Sequence, residues 1–464
     1  MKTTKILACV LACVLAGSIC TSCGTSEKTE DNGKIKISVG QWPSEEGDTL
    51  DRYEKSKKEF EEANPDIEVE PDTWTFDLQT VYPKAEAGLL PTTFAVHFTE
   101  LQKMTDGEYI ADMTDALKEV GLYDKINPNL LELATKDGRV YAVPADAYVL
   151  GMPINIKLWK EAGLVEEDGT PKQPENWEQL GEYAKIIKDK TGVPGFALCT
   201  TKNCGGWFFT NIAWSYGVSF MDQDKNGKWK ATFDTPEAVA ALQFVKDLKW
   251  KYDCVPANNL IDQAESHKLL ATGQTATIID GPVSDTYKYD MDPADYGMIA
   301  IPRGPKGHYA LMGGTLYCSA NNATYDEILA GLKWRIFMGY TDKISEEAKV
   351  KKEQSYKEGF DNGEPIGIRY ISPWSDDSDT IIFRNELIDK YTNVLPNSVR
   401  LYNESLTDPS IVFHAEEPVC CQDLYGILDN IIQEVFTNKD ADPAELISRA
   451  NSDFQKNFLD KLEG

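Results

Sequence analysis

The sequence predicts an α/β fold of two lobes, and three observations lead to this prediction. The chain has 464 residues, which is enough for two or three domains. Strand and helix patterns alternate from residue 34 to residue 98 in the order β-α-β-α-β, which predicts a parallel, doubly wound sheet. Strand and helix patterns alternate both before and after a mostly apolar segment within 138–159, which predicts that this segment crosses between two lobes. The alternative is an internal strand of one lobe.

In the first lobe, the alternation of apolar residues and the positions of prolines predict where strands and helices begin and end. Apolar residues alternate over 35–39 before Pro43, which predicts a strand, and Pro65 ends the first helix pattern. Ligands bind beyond the carboxyl ends of parallel strands, so Trp42 and His97 are expected at one rim of the sheet. The predicted elements are a strand at 34–42, a helix at 49–64, a strand at 67–74, a helix at 78–89 and a strand at 92–98.

The crossover segment starts with a turn signal. Asp137-Gly138 predicts a hairpin, and Pro144 is expected to end the strand that follows. The apolar run at 148–156 then continues into an amphipathic helix. A ligand held between two lobes would contact Asp146 and Tyr148.

The N-terminus carries an export signal. A short basic region precedes an apolar run at 6–19, which is too short for a comfortable membrane span and is typical of a secretory signal. Thr21-Ser22-Cys23 resembles the lipobox of bacterial lipoproteins. We therefore expect a signal peptide at 1–22, lipidation of Cys23, a flexible tether at 23–33 and attachment to the extracellular face of the bacterial cytoplasmic membrane. The alternative is an ordinary cleaved signal and a freely secreted protein.

Charge and cysteine content limit the possible functions. The net charge is −28 and the sequence has no long Lys/Arg cluster, which disfavours nucleic-acid binding. Cys199 and Cys204 bracket a short loop and could form a disulfide outside the cell, although free buried thiols are the alternative. The four histidines are widely scattered, so no zinc pattern is present.

Several short motifs follow one another along the chain. The first are the helix-to-strand join at 64–67 and the crossover at 143–159. The others are 174–180 (PENWEQL), 235–242 (TPEAVAAL), 273–282 (GQTATIIDGP), 296–302 (YGMIAIP) and 313–319 (GGTLYCS). The order of these motifs resembles the extracellular solute-binding proteins of ABC importers, most of all the carbohydrate-binding family 1 that includes maltose-binding proteins.

The resemblance implies a two-lobed, type II periplasmic-binding-protein-like fold, in which each lobe is a mostly parallel sheet flanked by helices and a hinge joins them. Residues 34–147 plus 297–345 are expected to form the N-lobe, and 148–296 plus 346–464 the C-lobe. The segment 343–374 departs from the family pattern because it is long, charged and then rich in glycine and proline.

Sugar binding requires flat aromatic rings for the apolar faces of a pyranose and polar groups for its hydroxyl rim. Core packing is the alternative for each aromatic candidate, and a cap or turn role is the alternative for Asp280. Trp207 follows the Cys204-Gly205-Gly206 helix start, where the resemblance implies a ligand-facing aromatic residue. The expected ligand-binding residues are Trp42, His97, Asp146, Tyr148, Trp207, Asp280, Gly313 and Trp374.

Cofactor and catalytic signals are weak. Asp222, Asp224 and Asn226 resemble the start of a calcium loop, but Phe233 stands where a bidentate glutamate belongs. An Asp-rich hairpin turn is the alternative, so no cofactor is expected. The sequence has no catalytic motif, and we expect no enzymatic activity.

The sequence therefore predicts a monomeric, lipid-anchored component of an ABC transporter that captures an oligosaccharide and delivers it to the permease. A surface glycoside hydrolase or lyase is the alternative.

Overall fold

The computed structural model describes residues 33–77 and 80–462. The predicted signal peptide, the lipidation site Cys23 and the tether up to residue 32 lie outside the described residues. The strands are β1 (Ile35–Val39), β2 (Ile67–Pro71), β3 (Thr93–His97), β4 (Thr135–Lys136), β5 (Arg139–Val140), β6 (Ala142–Val149), β7 (Met152–Asn155), β8 (Met221–Gln223), β9 (Trp229–Ala231), β10 (Tyr296–Ile299), β11 (Tyr309–Ser319) and β12 (Val412–Ala415).

Helices cover both faces of the strands. In chain order they are α1 (Asp48–Ala63), α2 (Val81–Glu86), α3 (Leu101–Asp106), α4 (Thr114–Glu119), α5 (Pro128–Leu133), α6 (Ile156–Glu161), α7 (Trp177–Thr191), α8 (Cys204–Tyr216), α9 (Pro236–Trp250), α10 (Gln263–Ala271), α11 (Tyr325–Phe337), α12 (Glu346–Asn362), α13 (Asp379–Tyr391), α14 (Pro396–Ser405), α15 (Cys421–Thr437) and α16 (Pro443–Asn457). None of the described helices is both long enough and apolar enough to span a membrane.

The main sheet has six strands in the order β12-β11-β3-β1-β2, with β6 also paired to β11. β1 runs parallel to β2 and β3, which confirms the predicted β-α-β-α-β unit. β11 runs antiparallel to β3 and β6 and parallel to β12. The sheet is therefore mixed at β11 and β12, the two strands that come from the second half of the sequence.

Alternation explains why β1 and β2 form and which side they bury. Ile37 and Val39 of β1 and Ile67 and Val69 of β2 point into one hydrophobic cluster. That cluster is closed by residues of α1 and α11, the two helices that pack on this face of the sheet. Burial of these side chains contributes roughly 1.5–3 kcal/mol for each, which fixes the register of the parallel pair.

The crossover contains the predicted hairpin. β4 and β5 pair antiparallel around Asp137-Gly138, and both turn residues have positive φ angles. The expectation that Pro144 ends the strand is wrong, because β6 runs through it to Val149. Pro144 is tolerated because the β6–β11 register shifts beside it: Thr315 lies opposite Asp146 and Leu316 opposite Pro144, so Ala145 bulges.

The chain leaves the main sheet after Val149 and starts β7 at Met152. β7 pairs antiparallel with β10, and isolated bridges extend this pair to residues 277 and 280. A buried indole joins α6 to this pair of strands, because Trp159 Nε1 donates to Thr277 Oγ1 at 3.0 Å. These elements belong to the same hydrophobic cluster as Phe94 and Val96 of β3, and we call the part of it beyond the crossover the second region.

Helices α8 and α15 pack closely in this second region because of a glycine. A Cβ at Gly206 would lie 2.3 Å from the carbonyl oxygen of Tyr425, so no other residue fits without displacing backbone. The segment that sequence alone did not place, 343–374, forms α12 and then an irregular stretch in which Ile366, Ile368, Ile371 and Trp374 are buried.

Candidate ligand-binding site

A cavity of about 510 Å³ lies beyond the carboxyl end of β3. We call it the β3–β12 cleft. One wall comes from Phe98 to Asp106 and from 133–136, and the other comes from His414 to Glu416 with Pro418. β3 is parallel to β1, so its carboxyl end lies where open α/β sheets bind ligands. β12 runs antiparallel to β3, and its carboxyl end reaches the cleft from the opposite direction.

Glu416 is the central polar group of the cleft. Burial raises the pKa of Glu416 to about 7, although the nearby Tyr425 hydroxyl and Trp207 indole N–H act against the rise. Both of these donors are buried and lack a hydrogen-bond partner of normal geometry. Glu416, which lines the cleft, therefore changes charge near neutral pH and has two buried donors close to it.

Aromatic rings line the same region. The Trp207 ring stacks on Phe208 with centroids 4.9 Å apart and meets the Tyr148 ring edge-on at 6.3 Å. Trp207 stands in the first turn of α8, and Asp429 of α15 fixes that turn by accepting from the backbone N–H groups of Asn203 at 2.8 Å and Gly206 at 2.7 Å. A buried carboxylate on α15 thus positions the candidate ring on α8.

A second layer lies behind Glu416. The His414 ring stacks on Trp214 at 3.9 Å, and Trp214 Nε1 donates to Glu417 Oε1 at 2.9 Å. Burial raises the pKa of Glu417 to about 7 and lowers the pKa of His414. Sequence reasoning missed His414, Glu416 and Glu417. The signal that would have found them is a His-Ala-Glu-Glu-Pro run directly after a short strand.

Glu100 organises the opposite wall. Its carboxylate accepts from the Thr99 hydroxyl at 2.9 Å and from the Tyr82 hydroxyl. Lys103 Nζ lies 3.4 Å above the Tyr82 ring. Burial, followed by the Glu100 charge, raises the pKa of Tyr82, and burial lowers the pKa of Lys103. The wall is thus preorganised by charge-assisted contacts.

Two of the predicted residues, Tyr148 and Trp207, meet in the structure beside Glu416. A third, Gly313, lies opposite Tyr148 in the β6–β11 ladder, where a Cβ would come within 2.3 Å of the Tyr148 hydroxyl oxygen. Gly313 therefore seats the tyrosine ring. Asp146 is exposed on the same strand, and its carboxylate accepts from the Thr315 backbone N–H at 3.1 Å.

Asp280 lies in a charged cluster that also acts on Tyr148, whose pKa is raised first by burial and then by the Glu416 and Asp280 charges. Its carboxylate contacts His267 Nε2 at 2.8 Å and accepts from the backbone N–H of Gly281 at 2.7 Å, while His267 Nδ1 lies 3.1 Å from Asp285. Burial lowers the pKa of His267, but Asp280 and Asp285 outweigh burial and raise it above the ordinary value. His97 is exposed, and its ring packs edge-on against Phe76.

The structure does not bring Trp42 or Trp374 to the cleft. Trp42 is 3% exposed and stacks on Trp334, and its Nε1 donates to Glu54 at 3.2 Å. Trp374 is 5% exposed, with its ring 4.6 Å from that of Tyr340. Both positions match the core-packing alternative, because each ring fills a hydrophobic cluster beneath the main sheet.

The Asp-rich segment 222–227 forms a hairpin turn between β8 and β9. The Asp224 carboxylate accepts from the backbone N–H groups of Asn226 at 2.8 Å and Lys228 at 3.1 Å. These bonds use the carboxylate to close the turn, which is the geometry of the metal-free alternative. Among the described residues, no group of His, Cys, Asp and Glu side chains is arranged to hold a metal ion.

Comparison with known proteins gives consistent results. The family model of bacterial extracellular solute-binding proteins matches residues 44–334. The chain is 24% identical over 343 residues to a putative ABC transporter periplasmic-binding protein, YcjN, of Escherichia coli (strain K12), which covers 71% of this chain and 75% of that protein. It is 26% identical over 211 residues to a lactose-binding protein of Rhizobium radiobacter, which covers 43% of this chain and 46% of that protein.

Among solved structures, the fold is similar to that of T. maritima MalE3 bound to maltose. The TM-score is 0.58 at 19% identity, and the match covers 92% of this chain and 99% of the other. This similarity shows the expected two-lobed type II fold, and the family model covers more than half of the chain. The protein is therefore a member of the bacterial extracellular solute-binding protein family.

Proposed function

We propose that this protein is the lipid-anchored solute-binding component of an ABC transporter, and that it captures an oligosaccharide in the β3–β12 cleft and delivers it to the permease. The observation that carries the proposal is Trp207. Its ring lies next to Glu416, which lines the cleft, and its buried Nε1 has no hydrogen-bond partner of normal geometry. A flat ring next to a free donor and a carboxyl group suits a pyranose, which has apolar faces and a hydroxyl rim.

The rest of the cleft supports the same ligand class. Its volume falls in the usual range for small-molecule sites, roughly 300–1,000 Å³. Polar side chains of both donor and acceptor type alternate with apolar ones along its walls. The relatives named for lactose and maltose are consistent with a sugar, and the ligand of this chain is our inference from its own cleft.

The mechanism we propose is hinge closure without covalent chemistry. The N-lobe is taken as 34–147 plus 297–345 and the C-lobe as 148–296 plus 346–464. The main-chain crossing at 150–151 supports the first hinge. A ligand that contacts both the segment after β3 and Trp207 of α8, which follows the crossover, would stabilise the closed form, which presents both lobes to the permease.

Isothermal titration calorimetry with malto-, manno-, xylo- and galacto-oligosaccharides tests the site. Trp207→Ala should weaken binding at least tenfold, which is about 1.4 kcal/mol. Trp229→Ala, on the remote β8–β9 hairpin, is the matched control and should bind like the wild type. Equal affinity of Trp207→Ala and the wild type would remove the cleft from consideration. Absence of heat across the whole panel would refute the sugar assignment while leaving the family intact.

Lipid attachment needs a separate experiment. Mass spectrometry of the mature N-terminal peptide should show a lipid-modified Cys23, and Cys23→Ala should release the protein from the membrane fraction. An unmodified N-terminus at another residue would support the freely secreted alternative.

The alternative function, a glycoside hydrolase or lyase, has one favourable observation. A carboxyl group with a pKa of about 7, as at Glu416, is suited to act as a general acid. We expect binding without product release from every glycan that binds. Turnover that Glu416→Gln abolishes would establish the enzyme instead.

A further inference from the structure

A second cavity, of about 410 Å³, lies among α1, the β6–β11 ladder and the end of α11. We call it the α1–α11 cavity. It shares no lining residue with the β3–β12 cleft. Its lining includes two arginines, Arg52 and Arg335, and among the described residues no aspartate or glutamate lines it. Such a lining is unexpected in a chain whose net charge is −28.

Arg335 is the buried member of this pair. Its side chain is on α11 and the residue is 8% exposed. Its Nε donates to Thr93 Oγ1 at 3.0 Å, and its guanidinium lies 4.1 Å above the centre of the Tyr317 ring. Its Nη2 is buried and has no hydrogen-bond partner. One edge of the guanidinium is therefore held in place while the other remains unsatisfied.

No carboxylate of the described residues forms an ion pair with this arginine. The ionisable groups that act on Arg335 are Tyr317, Tyr53 and Cys318, with no carboxylate among them in the described part of the chain. A buried charge without a partner is costly, and a planar carboxylate matches the fork of a guanidinium. The arrangement therefore lacks one component, which is an anionic acceptor.

The rings in the lining indicate which anions fit the cavity. Tyr53 and Tyr317 contribute ring surface, whereas Trp334 and Trp374 are 1% and 5% exposed, and Ser56 adds a hydroxyl group near Arg52. Most of the exposed lining is polar. A small planar carboxylate can lie against the ring faces while its oxygens meet the polar lining.

We propose that the α1–α11 cavity is a second binding site, for a small organic carboxylate. The carboxylate pairs with the guanidinium of Arg335, Arg52 adds a second positive charge, and the organic body packs on the ring faces of the lining. Ala145, the bulged residue of β6, also lines the cavity, so the site adjoins the strand that crosses out of the main sheet. The proposal is independent of the sugar assignment.

Saturation-transfer NMR on the mature protein tests the proposal, with benzoate as the probe and benzyl alcohol as its neutral match. Benzoate should bind saturably at millimolar concentration, and benzyl alcohol should bind at least tenfold more weakly. Arg335→Gln should reduce benzoate binding at least tenfold. Arg449→Gln, an exposed arginine paired with Glu434, is the control and should leave it unchanged.

A second variant protects the test against misfolding. Ser56→Phe fills the cavity while keeping Arg335, and it should abolish benzoate binding without removing any charge. Benzoate binding that survives both Arg335→Gln and Ser56→Phe would place the ligand elsewhere and overturn the proposal. If phosphate displaces benzoate at concentrations below the Kd of benzoate, the site belongs to an inorganic oxyanion instead. Absence of saturable benzoate binding to the wild type would also overturn it.

Discussion

Glu417→Gln is expected to stabilise the protein at alkaline pH. Glu417 is 6% exposed and accepts from Trp214 Nε1 at 2.9 Å. Its pKa is about 7, against an ordinary value of 4.5, because burial disfavours the ionised form. Between these two values the folded state holds a proton that the unfolded state has released. Stability therefore falls as pH rises through this window and stays reduced above it.

The magnitude follows from the two pKa values. At about 1.36 kcal/mol for each pKa unit, the interval from 4.5 to about 7 amounts to ~3 kcal/mol of unfolding free energy. Glutamine keeps an acceptor oxygen for Trp214 and never ionises. Glu417→Gln should therefore exceed the wild type by ~3 kcal/mol at pH 8, and the gap should shrink to under about 1 kcal/mol at pH 5.

Urea unfolding, followed by tryptophan fluorescence at several pH values, measures this difference. Glu167→Gln is the matched control because Glu167 is an exposed glutamate, and it should show no gain that grows with pH. The reasoning about a buried ionised carboxylate fails if Glu417→Gln is no more stable than the wild type at pH 8. It also fails if the gap between the two proteins does not change with pH.

Three further predictions concern the second region. Gly206→Ala should lower the free energy of unfolding in urea by about 1–3 kcal/mol, because its Cβ would overlap the Tyr425 backbone. Gly281→Ala is the control and should be neutral, because a Cβ there meets open space. If Gly206→Ala is as stable as the wild type, the close contact is refuted. The raised pKa of His267 stabilises the fold below pH 6.5, so the advantage of the wild type over His267→Asn should fall as pH rises through the folded pKa; a constant advantage would contradict this. Cys199 and Cys204 are free thiols in contact, so iodoacetamide should modify both in urea without reductant; protection there would mean a disulfide.

Local signals predicted the parts of the fold that depend on neighbouring residues. The alternation in β1 and β2, and the proline after α1, define a parallel unit because each strand buries one face. The Asp137-Gly138 hairpin was equally predictable, since both turn residues need positive φ angles that Gly, and more rarely Asp, adopt.

The site was harder to predict because distant parts of the chain build it. The bond from Trp214 to Glu417 joins residues 203 positions apart, and no local pattern near Glu417 announces its partner. Trp42 shows the opposite error. Its place at the end of β1 predicted a rim position, but Trp334 of α11 covers it with a stacked ring. Whether a side chain at the end of a strand is exposed or buried by a helix depends on tertiary packing, which the strand sequence does not encode.

The β6 strand has a practical use in sensor engineering. It carries Tyr148 beside Glu416 and, two residues earlier, the exposed Asp146, before the chain crosses to β7. A dye attached at position 146 would lie near Tyr148 without replacing it or Trp207. Under the proposed hinge closure, one fluorophore there would respond both to the ligand and to the movement of the lobes. A second dye on a remote element such as the β8–β9 hairpin would let an instrument separate the two signals.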